Sequence, residues 1–157
     1  MQQRAELRLD ELLDVAGAMV VADALHCSKK SARAVVDAGA DYLFVVKDNQ
    51  ANLRENIELF VRGEALEKSV TKEKNGGRIE TRTAYVSRDI DWLESRSDCA
   101  NLSCIGAIHT QFEKGGHKSS SWHYYISSAA LTAEALLLHA RLEWGRGGHA
   151  LAAGCTF

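Results

Sequence analysis

The stretch that decides the fold spans residues 18–50 and reads AMVVADALHCSKKSARAVVDAGADYLFVVKDNQ. Two short apolar runs, at 18–22 and 42–46, flank a segment that Ser28 can cap as a helix and Gly39 can end. Continuous apolar runs of this length are typical of strands buried on both faces. A strand, a helix and a strand in this order make the two strands parallel. The sequence therefore predicts a βαβ unit.

The chain on either side of this unit divides into helical and β-rich parts. Residues 67–80, EKSVTKEKNGGRIE, are polar and contain glycine, so we expect a loop there. A parallel sheet of two strands is narrow and leaves an exposed edge. We therefore expect a chain that begins part-way through a fold. The other predicted elements are helices at about 4–15, 52–62 and 132–144, and strands of an antiparallel meander at 78–87, 104–114 and 120–128.

Length and composition favour a single globular domain. The chain has 157 residues, of which 46% are apolar and 25% charged. Its net charge of −2 gives no global support for nucleic-acid binding, so any DNA contact must come from local patches. The four cysteines form no metal-binding pair, and we interpret them as free thiols. We expect a cytoplasmic protein without membrane contact, because no signal-peptide core or membrane-length apolar run is present.

Polar side chains follow both apolar runs where the predicted strands end. Asp23 lies just past the first strand, and Lys47, Asn49 and Gln50 lie just past the second. Ligands bind at this edge of open α/β sheets. A carboxylate there can hold Mg²⁺, and lysine and amide groups can contact phosphate or base edges. The alternative is that these residues serve only as turn, cap and loop residues.

Two further groups of residues can meet an anion. Arg78, Glu80 and Arg82 alternate, so on a strand they share one face. One interpretation is a solvated strand face with cross-strand pairs. The other is that the two arginines contact a phosphate backbone while Glu80 orients them. Arg141 and Trp144 lie three residues apart on the last helix. They can be a rim and a core residue, or part of a site.

Three stretches together resemble a known family. They are VVADALHCSKKSARAVVDAGADYLFVVKDNQANLRENI at 20–57, GGRIETRTAYVS at 76–87 and YYISS at 124–128. In order and spacing they resemble the bacterial insertion-sequence transposases of the H-repeat-associated group, which are of the DDE class. The resemblance covers roughly residues 8–144.

The resemblance implies a ribonuclease-H-like fold and DNA transposition. Such enzymes use two Mg²⁺ ions, held by two aspartates and one glutamate, to cleave and join DNA strands. Asp23 matches the second acidic position and is the implied catalytic residue and metal ligand. The implied DNA-binding residues are those that match the family's other motifs: Lys47, Asn49, Gln50, Arg78, Glu80, Arg82 and Arg141.

The chain departs from the family pattern at three places. The family's first aspartate, in a D-G-K stretch, is absent, so we expect the first core strands to be absent too. Gly147 stands where the glutamate ligand belongs, and Glu143 and Gly76 stand where the family has histidine. With one of three metal ligands, the chain is expected to be inactive alone. A frame slip in the gene between residues 144 and 156 is our hypothesis for the altered tail.

The sequence thus predicts an α/β protein with a partial ribonuclease-H-like fold, made of a βαβ unit, a closing helix and a β-rich insertion. Its expected function is that of the transposase family, Mg²⁺-dependent DNA strand cleavage and transfer, of which this chain is expected to be an inactive fragment. The implied DNA partner is the ends of the insertion sequence. The alternatives are a non-catalytic DNA-binding or regulatory fragment that pairs with full-length transposase, and the product of a decayed gene. The expected parts of the single partial domain, 1–157, are a βαβα core at 18–62, the insertion at 64–128, the closing helix at 131–145 and a degenerate tail at 146–157.

Overall fold

The computed structural model describes residues 17–22, 29–47, 50–63, 66–93, 99–146 and 150–151. Its strands are β1 (Met19–Ala22), β2 (Asp41–Val46), β3 (Glu67–Asn75), β4 (Arg78–Ser87), β5 (Cys104–Lys114), β6 (His117–Ser127) and β7 (Ala150–Leu151). Its helices are α1 (Lys29–Asp37), α2 (Ala51–Gly63) and α3 (Ala133–Arg146). The helix predicted at 4–15 lies outside the described residues. None of the helices in the described part is long and apolar enough to cross a membrane.

The described strands form one mixed sheet in the order β3-β4-β5-β6-β2-β1-β7. β1 and β2 run parallel, with Met19 opposite Asp41, which confirms the predicted βαβ unit. β4, β5 and β6 form the predicted antiparallel meander. The α/β class is therefore confirmed.

The meander continues the sheet of the βαβ unit. β6 pairs antiparallel with the outer edge of β2, from Leu43 opposite Ser127 to Val46 opposite Tyr124. The expectation of a two-stranded sheet with an exposed edge at this side is therefore wrong. The physical reason is that the second half of β6 is apolar and buried, so it covers an edge that would otherwise leave backbone groups unpaired.

The prediction of a loop at 67–80 is also wrong, because residues 67–75 form β3. Gly76 and Gly77 close a two-residue turn with positive φ values of 56° and 79°, which only glycine and a few polar residues adopt readily. β3 is polar because it is an edge strand that is largely exposed on both faces. Its lysines suit an edge that must not pair with other chains. Polar composition here marks an edge strand and not a loop.

Alternate residues of the strands face two separate cores. Val20 and Phe44 belong to the core that α1 and α2 cover, and Val21 and Leu43 belong to the core under α3. The sheet therefore has helices on both faces around β1 and β2, which explains why those two strands are apolar at nearly every position. We call these the α1/α2 face and the α3 face.

The start of α3 is tied to β3 and β4 by one ionic contact. Glu67 accepts a hydrogen bond from the backbone N–H of Ala133 at 2.7 Å and pairs with Arg88 at 2.7 Å. Arg88 also donates to the carbonyl oxygen of Leu131 at 2.7 Å, and Thr132 caps the helix by accepting from the N–H of Ala135. The hydrogen bonds from Arg88 and Ala133 lower the pKa of the Glu67 carboxyl from its ordinary value. Glu67 therefore stabilises the fold in its ionised form.

We expect Glu67→Gln to be less stable than the unmodified chain at neutral pH, with a difference that disappears in acid. Because the pKa of Glu67 is lower in the folded chain, its contribution is present above its ordinary pKa of 4.5 and is lost as the pH falls through the folded value. Thermal unfolding of both chains from pH 7 to pH 3 measures this difference. Glu55→Gln, at an exposed position of α2, controls for the loss of one carboxylate. A difference independent of pH would contradict the assignment.

Candidate nucleic-acid interface

The residues predicted to bind DNA fall into two groups in the fold. Lys47 and Gln50 lie where β2 leads into α2, and Asp23 and Asn49 lie outside the described residues. The second group lies on β4 and α3 and is described below. Between β2 and β4 lie β6 and β5, so the two strands that carry these groups are about three strand spacings, or about 14 Å, apart.

The turn after β2 presents the first group. The backbone N–H of Gln50 donates to the carbonyl oxygen of Lys47 at 3.0 Å, which closes the turn. Lys47 is exposed, and its charge lies beside His123 of β6. Burial lowers the pKa of His123, and the charge of Lys47 lowers it further, so His123 is neutral at pH 7. The turn therefore presents the exposed charge of Lys47 beside a neutral histidine.

The predicted triplet on β4, which is Arg78, Glu80 and Arg82, divides between two roles. Glu80 and Arg82 form an ion pair with each other, and only 17% and 18% of their side chains are exposed. Both residues lie on the α3 face, as their partners in the sheet show. A pair so well covered mainly neutralises itself. The alternative raised by the sequence was a solvated face with cross-strand pairs, whereas this pair is covered and lies along one strand.

Arg141 is brought to the same place by α3. Its guanidinium pairs with Glu73 of β3, and Glu73 lies directly opposite Glu80 in the sheet. Two carboxylates directly opposite each other on a sheet repel. Arg82 and Arg141 offset this repulsion by pairing with one carboxylate each. We call Glu73, Glu80, Arg82 and Arg141 the four-charge cluster, and its formal net charge is zero.

Arg78 is separate from the cluster and exposed. Its guanidinium lies over the ring of Phe112 on β5, 4.1 Å from the ring centroid. Its cross-strand neighbour on β5 is Lys114. Stacking on an aromatic ring holds the arginine in place without neutralising its charge. Arg78 is therefore the member of the predicted triplet that can meet a phosphate.

A groove of about 450 Å³ lies between α3 and strands β3 and β4. Leu137 and Leu138 line it, together with Arg82 and Arg141. Both arginines already pair with carboxylates of the four-charge cluster. Burial lowers the pKa of His139, which also borders the groove, so this histidine adds no charge at neutral pH. The groove therefore lacks the electrostatic character of an anion site.

Within the described residues, no group of three or more histidine, cysteine, aspartate or glutamate side chains is placed to hold a metal ion. Asp23, the predicted ligand, lies outside those residues, as does Gly147.

The sequence interpretation missed Glu73, Phe112 and Lys114. A signal for Glu73 was present, because a two-residue turn at Gly76 and Gly77 fixes its position opposite Glu80. Phe112 and Lys114 become neighbours of Arg78 only through the pairing of β4 with β5. The long connection between these strands leaves their alignment unspecified by local sequence.

Comparison with known proteins gives the chain its relatives. An uncharacterized protein encoded in the dhlA 3′ region of Xanthobacter autotrophicus is 33% identical over 121 residues, 74% of this chain and 41% of that protein. YhhI of Escherichia coli K12, named as an H repeat-associated transposase, is 30% identical over 146 residues, 85% of this chain and 38% of that protein. YncI of Escherichia coli O157:H7, also named as a transposase, is 29% identical over 149 residues, 85% of this chain and 36% of that protein.

These relatives identify the class: the chain is related to transposases. Within that class the resemblance to the H-repeat-associated group is confirmed. The chain spans about two fifths of the length of the relatives it matches. No protein-family model matches the chain. The solved structure of DesVI from Streptomyces venezuelae aligns with 80% of this chain and 48% of that chain at 13% identity, and its TM-score of 0.32 assigns no fold.

We expect the two arginines of β4 to differ in their effect on folding. Arg82→Ala leaves the covered carboxylate of Glu80 without its partner, so the free energy of unfolding should fall by about 1–3 kcal/mol. Arg78→Ala removes an exposed cation over a ring and should cost about 0.5–1 kcal/mol. Urea denaturation measures both values.

A double variant, Arg82→Ala with Glu80→Ala, provides the control for the first of these effects. It removes both charges of the pair, so it should be more stable than Arg82→Ala alone. Equal losses for Arg78→Ala and Arg82→Ala would contradict the division of roles between them.

Proposed function

We propose that the chain acts in DNA transposition as part of a DDE transposase catalytic domain with a ribonuclease-H-like fold. The observation that carries the proposal is the similarity to transposases over 85% of the chain. The parallel β1–β2 pair with helices on both faces supports the fold, because strand ends of such sheets position catalytic residues. The domain limits 18–62, 64–128 and 131–145 remain a prediction that accompanies this proposal.

Mg²⁺ is the cofactor that this function would require. When bound by three carboxylates, such ions activate the attacking oxygen and stabilise the leaving oxygen in phosphoryl transfer. The described residues do not fit such a site, since no acidic cluster exists among them. Asp23 is the only ligand that the family motifs assign. We therefore propose that the chain binds DNA but does not cleave it alone.

We expect the chain alone to leave supercoiled plasmid intact in the presence of Mg²⁺. A single aspartate cannot fix the octahedral geometry that Mg²⁺ requires, so no metal-bound nucleophile should form. Gel electrophoresis of the plasmid after incubation measures nicking, with Asp23→Asn as the matched control. Nicking that requires Asp23 would show that the chain is catalytic. Equal nicking by both chains would indicate a contaminating nuclease.

The proposed DNA contacts are the exposed cations and amides of the family motifs. Lys47 and Gln50 lie in the turn after β2, whose lysine is exposed, and Asn49 lies outside the described residues. Arg78 is exposed on β4 and held by Phe112. Glu80, Arg82 and Arg141 support these contacts from the four-charge cluster by fixing β3, β4 and α3 relative to one another. Full-length transposase remains a proposed second partner.

We expect the chain to bind duplex DNA with an affinity that falls as salt rises, because each phosphate contact releases counterions. Lys47→Ala should reduce the salt dependence by about one contact, a slope change of about 0.9. Fluorescence anisotropy of a labelled duplex at several salt concentrations measures it. Lys68→Ala, which removes an exposed lysine of β3, is the matched control. Failure of the unmodified chain to bind duplex DNA would overturn the proposed function.

A further inference from the structure

We propose that the tips of the β3–β4 and β5–β6 hairpins enter the major groove of duplex DNA and bind phosphates on both of its walls. This inference rests on the proposed function, in that the chain acts on DNA. Apart from Arg78, it assigns contacts to residues that the family motifs do not include. We call residues 72–78 and 113–118 the hairpin-tip surface.

The two tips lie side by side at one end of the sheet. Asn75 pairs with Arg78 across one turn, Lys114 pairs with His117 across the other, and Arg78 pairs with Lys114. Neighbouring strands are about 4.8 Å apart, so the two turns form one continuous end. All residues from 74 to 78 and from 113 to 121 are exposed. The described helices thus leave this end of the sheet exposed.

The hairpin-tip surface is basic although the chain is acidic. It contains five cations and two carboxylates, a net charge of +3, in a chain with a net charge of −2. One of the two carboxylates, Glu73, pairs with Arg141 of the four-charge cluster. The five cations are Lys72, Lys74, Arg78, Lys114 and Lys118. A local excess of this size suits a polyanionic partner.

The cations are divided between the two faces of the sheet. Arg78 and Lys114 are cross-strand neighbours and lie on the α3 face. Lys74 and Lys118 are in a row with Ile79 and Glu113 and lie on the α1/α2 face. A surface that docked flat against DNA would need cations on one face only. Cations on both faces fit a partner with negative charge on two sides.

The apex of each hairpin carries no side chain. Gly76, Gly77, Gly115 and Gly116 form the turns, and all four have positive φ. A Cβ added at any of them would meet no other atom within 4 Å, so packing does not require glycine there. Asparagine would also suit the first position of such turns. Glycine at every position leaves a bare apex that can approach a surface closely.

The major groove of B-form DNA provides this arrangement of charge. It is about 12 Å wide, admits β-ribbons and has a phosphate backbone on each side. With the hairpin tips pointing into the groove, Arg78 and Lys114 face one phosphate backbone, and Lys74 and Lys118 face the other. The bare apices lie toward the bases and carry no side chain to read them. The binding should therefore be largely independent of sequence.

The test compares the contribution of each face. One variant carries Arg78→Ala with Lys114→Ala, and the other carries Lys74→Ala with Lys118→Ala. Each should reduce affinity for a random-sequence duplex about tenfold or more and reduce the salt slope by about two. Anisotropy titrations between 50 and 200 mM salt, about the range over which such contacts are sensitive, measure both quantities.

The matched control removes two cations from elsewhere, with Arg33→Ala on α1 and Lys68→Ala on β3. Both positions are exposed and lie outside the hairpin-tip surface. This variant should change affinity and slope little. Thermal unfolding of all three variants confirms that each is folded before binding is compared.

A second, modified duplex tests whether the chain binds in the major groove. Bulky glucosyl groups attached through C5 of cytosine project into the major groove, where C5 substituents lie. They should weaken binding by the unmodified chain and leave the two face variants less affected. Equal affinity for the plain and the glucosylated duplex would overturn insertion into the major groove.

The outcomes separate this inference from the proposed function. If the unmodified chain binds no duplex, both are overturned. If it binds and either face variant behaves like the control, the two-sided insertion is overturned while DNA binding itself stands. Loss of affinity in both face variants, together with weaker binding of the unmodified chain to the glucosylated duplex, supports the inference.

Discussion

The pairing of β6 with β2 is the contact on which the rest of the structure depends. It joins the parallel strands of the βαβ unit to the antiparallel meander and so makes one sheet. Serine side chains hold the junction: Ser127 donates to the carbonyl oxygen of Tyr42 at 2.7 Å, and Ser128 accepts from the N–H of Tyr42 at 2.8 Å. Ser128 also donates to Asp41 at 2.8 Å. Because these polar groups are covered, each bond also avoids the cost of an unpaired buried group.

The extension of the sheet creates a repulsion between two carboxylates, which α3 helps to offset. The two-residue turn at the end of β3 places Glu73 opposite Glu80, and like charges at such positions repel. Arg82 lies next to Glu80 on the same strand face, and Arg141 reaches Glu73 from α3. The cluster therefore depends on both the hairpin alignment and the position of the helix. Two arginines that the family motifs mark as DNA contacts are engaged within the protein.

The sequence predicts those parts of the fold that local patterns control. The limits of β4 and β5 agree with the prediction, since alternating side chains and glycine turns specify them directly. β3 was predicted as a loop because an edge strand exposed on both faces has no apolar alternation to reveal it. The pairing of β2 with β6 joins residues about eighty positions apart, and nothing local encodes it. For the candidate site, too, the sequence predicts only what local patterns control. The face shared by Glu80 and Arg82 followed from alternation, whereas their covered pairing and the contact of Arg141 with Glu73 required the placement of α3.

The sheet has two ends of different character, and the position of the helices explains the difference. Around β1 and β2, helices cover both faces, so nearly every strand residue is apolar. At the hairpin tips none of the described helices covers either face, and the chain can place cations there without burying them. Between the two ends, Glu67 and the four-charge cluster attach α3 to β3 and β4. Ionic and hydrogen-bonded contacts near both ends of β3 therefore fix the position of the helix relative to the hairpin that carries the tips.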